Sequence, residues 1–99
     1  MNYEQTIREH LRLTLLRLLA EDPDYTMNDS LLTDLTANYG FTPSRDKVRT
    51  ELAWLSEQGL ITADTDPGIT IATLTERGAD VAGGRVTVPG IKRPSPRRG

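Results

Sequence analysis

Arg45, Lys47 and Arg49 place three cations within five residues, beside the hydroxyls of Ser44 and Thr50. Guanidinium and ammonium groups at that density pair with phosphate oxygens, and arginine also matches the acceptor pair on a guanine edge. Asp46 and Glu51 interleave with these residues and offset part of the charge, so the same stretch also reads as an ordinary solvated face. A second basic cluster closes the chain: Lys92, Arg93, Arg97 and Arg98, separated by Pro94 and Pro96. An arm of this kind, extended by proline and free of aromatic residues, suits sequence-independent contact with phosphate more than base readout. Its plainer reading is a solubilising end.

Other chemistry is poorly provided for. The chain has no cysteine, which removes disulfides, thiolate metal sites and thiol nucleophiles, and suits a cytosolic compartment. Its one histidine, His10, reads as a helix-surface residue without carboxylate partners at metal-binding spacing. No glycine-rich phosphate loop and no serine with a histidine and acid at recognisable spacing are present, so neither enzyme activity, cofactor nor metal is expected. Arg12 and Arg17 interrupt the longest apolar stretch well before the ~20 residues of a membrane span, so no membrane partner is expected.

The net charge of −2 conceals a division. Residues 1–83 carry seven basic and all fourteen acidic side chains, a balance of −7, whereas residues 84–99 carry five cations and no acid. An acidic body normally argues against a nucleic-acid partner. Any nucleic-acid contact is thereby narrowed to the Ser44–Thr50 stretch and the tail.

The elements that must position these residues follow from periodicity and breakers. Tyr3 to Ala20 reads as an amphipathic helix, with Ile7, Leu11, Leu15 and Leu18 on one stripe. Leu16 and Leu19 widen that stripe, and Leu13 and Ala20 lie nearly opposite Leu11 at 100° per residue. Two apolar faces need two covers. A homodimer contact through Leu13, Leu16 and Ala20 is the leading expectation, and a C-terminal segment folded over the helix is the other. After Glu21-Asp22-Pro23-Asp24 comes a loop. Asn28 or Asp29 can then cap a second helix through Leu31, Leu32, Leu35 and Tyr39, which stops at Gly40. A third helix, capped by Thr42 or Ser44, runs through Val48, Leu52 and Leu55 to Gly59. Leu60–Thr65 and Ile69–Leu74 read as a hairpin around Asp66-Pro67-Gly68, with Trp54 expected beneath it. Thr73 or Thr75 can cap a short helix over Glu76–Ala82. From Val86 onward three prolines and two glycines in fourteen residues predict no packed core.

Helix, helix, tight turn, helix, hairpin, helix is a helix-turn-helix with a hairpin appended. The chain therefore resembles the winged-helix DNA-binding superfamily. Ser44 to Ile61 (SRDKVRTELAWLSEQGLI) is similar to the recognition helix and first wing strand of ArsR-like and MarR-like regulators, and Leu74-Thr75-Glu76-Arg77-Gly78 to the LTxxG segment after their wing. More narrowly, HLRLTLLRLLAE, SRDKVRTELAWLSEQGL, ATLTERGADVA and VPGIKRPSPR resemble small winged-helix proteins of Mu-like phages and prophages, often labelled ArsR-like. The resemblance implies an α+β, mostly helical winged helix-turn-helix over residues 1–84, with a basic extended tail over 85–99. It also implies a dimeric transcriptional regulator that sets its third helix in the major groove of double-stranded DNA. DNA contacts are then expected from Ser44, Arg45, Lys47, Arg49, Thr50, Lys92, Arg93, Arg97 and Arg98. Two departures stand out. The hairpin tip carries Asp64 and Asp66 and no cation, and the chain lacks the cysteines of metal-sensing ArsR proteins. The acidic wing favours the alternative, a module that docks other phage proteins during assembly or packaging.

Overall fold

A computed structural model describes residues 2–95. Helix α1 (Tyr3–Glu21) begins where the Asn2 carboxamide accepts the free backbone N–H groups of Glu4 and Gln5 at 2.9 and 3.3 Å. A three-residue strand, β1 (Thr26–Asn28), leads into α2 (Asp29–Thr36), whose cap is Asn28, accepting from the Leu31 N–H at 2.8 Å. A single 3-10 turn ends at Gly40, whose φ of 85° is left-handed backbone that favours glycine. Ser44, one of the two expected caps, accepts from the Lys47 N–H at 3.0 Å and starts α3 (Arg45–Glu57). Strands β2 (Ile61–Asp66) and β3 (Ile69–Leu74) form the expected hairpin, and Thr75 caps α4 (Glu76–Ala82) through the Gly78 N–H.

The sheet is antiparallel in the order β1-β3-β2, with Ile61 opposite Leu74 and Asp66 opposite Ile69. The loop expected before the second helix thus contains a strand, Thr26 pairing with Thr73 and Asn28 with Ile71. Three residues are too few for alternation to register, and the partner lies more than forty positions away.

All six leucines of α1 from Leu11 to Leu19 are buried. The expected dimer face through Leu13 and Leu16 is corrected here: they are 5 % and 0 % exposed inside one chain, and only Ala20 of that set is at the surface. Their cover is α4 and the segment that follows it. Val88 and Ile91 join the core, the Lys92 N–H donates to the Glu9 carbonyl at 3.2 Å, and the Gly90 carbonyl accepts from Arg12 Nη1 at 2.9 Å. The prediction of no packing from Val86 onward therefore fails for this stretch: two apolar side chains meet an unfilled helix face, and each buried aliphatic side chain stabilises by about 2 kcal/mol. Trp54 is corrected as well. It lies against the Arg12 guanidinium, 3.7 Å from the ring centroid, and so close to Gly90 that a Cβ there would stand 2.9 Å from its ring. It supports the C-terminal segment. Ile7, Leu31 and Tyr39, read as core-facing, are 40–53 % exposed.

Candidate nucleic-acid interface

Asp29 opens α2 at the positive end of the helix, yet its carboxylate is completely buried. It accepts from the backbone N–H groups of Ser30 and Thr70, from Arg45 Nη2 at 3.1 Å and from Arg49 Nε. The same two guanidiniums donate to the Gly68 carbonyl at the hairpin turn, at 2.5 Å from Arg45 and 2.6 Å from Arg49. One buried anion thus ties together the start of α2, the first turns of α3 and the wing tip. Burial alone would raise the Asp29 pKa. The hydrogen bonds from Arg45 and Arg49, with that from Thr70 and the Arg45 charge, outweigh it and hold the carboxyl at about 2.

Glu51 repeats the arrangement one turn further along α3. Read from sequence as part of a solvated face, it is 1 % exposed. It accepts from Arg12 Nε at 2.7 Å and Lys47 Nζ at 2.8 Å, with Arg8 at 3.9 Å. Burial raises its pKa, but Lys47 and Arg12 pull it below the ordinary glutamate value. Five cations gather around two buried carboxylates, three more than those two acids balance, while Asp46 on the same helix and Asp66 beside the wing turn add exposed negative charge.

The sequence-predicted contacts divide accordingly. Ser44, Arg45 and Thr50 are exposed, while Lys47 and Arg49 are half-buried, all on α3. Both hydroxyls serve the helix itself, Ser44 as its cap and Thr50 by donating to the Asp46 carbonyl at 3.1 Å. The arginine side chains keep 43 % and 36 % exposure, with Nη1 of each outside the clamp. Lys92 and Arg93 stand on the opposite course of the chain, against α1, and Arg97 and Arg98 lie outside the described residues. Sequence reasoning missed Asp29 and Glu51 as the groups that aim these cations. Their only signals were an acid next to the candidate cap Asn28 and an acid four positions after Lys47. Asp64 and Asp66 remain exposed at the wing, as their sequence positions imply. Among the described residues no set of three or more His, Asp or Glu could hold a metal ion, and no helix is long and apolar enough to cross a membrane.

A protein of Escherichia phage Mu, gp26, is 46 % identical over 91 residues, covering 92 % of this chain and 94 % of its own length. The chain belongs to the phage Mu gp26 family. A second relative, from Haemophilus influenzae, is 41 % identical over 78 residues, 78 % of this chain and 76 % of its own. No family model matches the chain. Among solved structures, the complex structures of hsRosR-S1 and hsRosR-S4 superpose with TM-scores of 0.64 and 0.61 at 18 % and 20 % identity. They cover 81 % and 73 % of this chain, which spans 70 % and 62 % of theirs. At that identity the likeness establishes the winged-helix fold and nothing finer.

Proposed function

We propose that this gp26-family protein is a non-enzymatic, double-stranded-DNA-binding regulator of Mu-like phage origin, acting in the host cytoplasm, with α3 in the major groove. The observation that carries the reading is the Asp29 clamp. Two arginines on the first turns of α3 are held by a buried carboxylate with part of each guanidinium facing solvent, at the place where a helix-turn-helix presents side chains to base edges. Preorganised guanidiniums lose less freedom on binding than free ones. Selection of bound sequences from random DNA is expected to return a defined motif. Arg45→Ala with Arg49→Ala, checked for folding by circular dichroism, is expected to cost at least about tenfold in affinity for it. Wild-type protein that selects no motif, or a double variant that binds it unchanged, would sink this reading.

A dimeric regulator needs a contact between copies, and the buried leucines of α1 leave a different surface for it. Tyr3, Ile7, Tyr39, Phe41 and Pro43 line a largely apolar groove of about 640 Å³ between the start of α1 and the α2–α3 turn, with Glu4, Arg8, His10 and Lys47 also in its lining. Ile7→Glu is expected to convert a dimer, measured by analytical ultracentrifugation, into a monomer. A wild-type protein that sediments as a monomer at all concentrations would refute the homodimer. The same groove favours a second reading, a module that docks other phage proteins. Absence of any selected DNA motif together with a phage protein lost on Ile7→Glu would support that one.

A further inference from the structure

The three cations of the α3 stretch are each tied to a buried carboxylate, whereas Arg17, Lys92 and Arg93 form no ion pair among the described residues. All three line one open cavity of about 890 Å³, together with Ala82, Gly83, Gly84, Pro94 and Ser95, and no acid is among the lining residues. On a body with a surplus of acids, this is where free positive charge collects. Acids stand around it but outside its lining: Glu21 lies one turn beyond Arg17 on α1, Asp80 of α4 is paired with Arg85 at 3.0 Å, and Glu9 lines the neighbouring cavity beyond Lys92 and Arg93, where its carboxylate accepts from Gln5 at 3.1 Å.

The cavity is shaped before any ligand arrives. Ile91 is anchored in the core, the Lys92 N–H is fixed to the Glu9 carbonyl, and Pro94 lies within 4.0 Å of where a Cβ on Gly84 would stand. Lys92 and Arg93 are therefore held beside Arg17 of α1, where an extended arm would have let them wander. The floor is glycine, alanine and proline with no aromatic side chain, so nothing there stacks on a base or grips the apolar body of a small molecule. Beyond Ser95 the sequence adds Arg97 and Arg98.

We infer that the cavity formed by Arg17, Lys92, Arg93 and the Gly83-Gly84 turn is a second DNA site, which binds the phosphodiester backbone without reading sequence. It rests on DNA as the partner, but not on α3 as the reader. Its contribution is affinity and salt dependence, because phosphate contacts release counterions and carry no base information.

The test measures binding of the full-length protein to a duplex with the selected motif and to a scrambled duplex, over a range of salt concentrations. Arg17→Ala, Lys92→Ala and Arg93→Ala together are expected to weaken both duplexes by a similar factor, about tenfold or more at low salt, and to reduce the slope of log affinity against log salt by about 3. Arg17 and Arg93 are exposed, and half-buried Lys92 donates from Nζ only to the exposed Arg93 carbonyl at 3.5 Å, so the fold is expected to survive, and the variant with all three cations exchanged between Arg and Lys is expected to bind like wild type. A triple alanine variant with unchanged slope and affinity overturns this site while leaving the α3 reading intact. Conversely, wild type that binds both duplexes equally, and loses both in the triple variant alone, overturns the α3 reading and upholds this site.

Discussion

Asp29→Asn is expected to lower the unfolding free energy at neutral pH by about 2 kcal/mol, the worth of holding a carboxyl at about 2 instead of 3.8. The folded protein binds that proton more weakly than the unfolded chain, so the stabilisation is present above the unfolded value and disappears as pH falls through the folded one. Wild type should lose it progressively between about pH 5 and pH 2. The asparagine variant should lack this part of the acid slope and retain only what Glu51 contributes, since its pKa is lowered too. The full cost of breaking a buried ion pair is not expected, because both arginines reach water and can rehydrate. Urea midpoints at a series of pH values provide the check, and parallel profiles for the two proteins would refute the assignment. The same change loosens the Gly68 turn from α3, so amide exchange at Ile69 and Thr70 should accelerate more than exchange in α1.

A larger effect is expected from one methyl group on α4. A Cβ at position 78 would stand 2.0 Å from the Leu60 carbonyl oxygen and 2.7 Å from Leu74 Cδ1. The Leu60 carbonyl cannot retreat cheaply: it accepts the Thr75 N–H at 3.1 Å, and Thr75 also donates its hydroxyl to the Gly59 carbonyl at 2.8 Å. Gly78→Ala should gain about 1 kcal/mol in helix propensity. It should lose about 4 kcal/mol or more in forced displacement of backbone, a net cost of about 3 kcal/mol. For a chain of this size that corresponds to a fall in Tm of more than about 10 °C by calorimetry. Gly83→Ala is the control, since its nearest neighbour is the movable guanidinium of Arg85 at 3.1 Å, and it should be nearly neutral. Equal melting temperatures for the two variants would show that α4 does not press on the hairpin base as described. The contact also accounts for the glycine of the Leu74-Thr75-Glu76-Arg77-Gly78 stretch, which has no positive φ to explain it.

Local signals decided much of this protein. The caps at Asn28, Ser44 and Thr75, the stop at Gly40 and the Pro67-Gly68 turn depend on short-range hydrogen bonds and backbone freedom, so they are written within a few residues of where they act. Four helices and a hairpin, their order, and the candidate cations of α3 were legible for that reason. What the cations touch was not. Asp29 meets Arg45 and Arg49 across sixteen and twenty positions, Arg12 reaches Glu51 across thirty-nine and Gly90 across seventy-eight, and β1 finds β3 only through the closed sheet. In sequence an aspartate buried against two half-exposed arginines looks the same as one in solvent. Likewise the two-faced α1 stated that a second cover must exist, since exposed leucine is costly. Only the packed chain, with Val88 and Ile91 laid across that helix, decided that the cover comes from the protein's own C-terminal segment, because burial is a property of what the whole fold brings near.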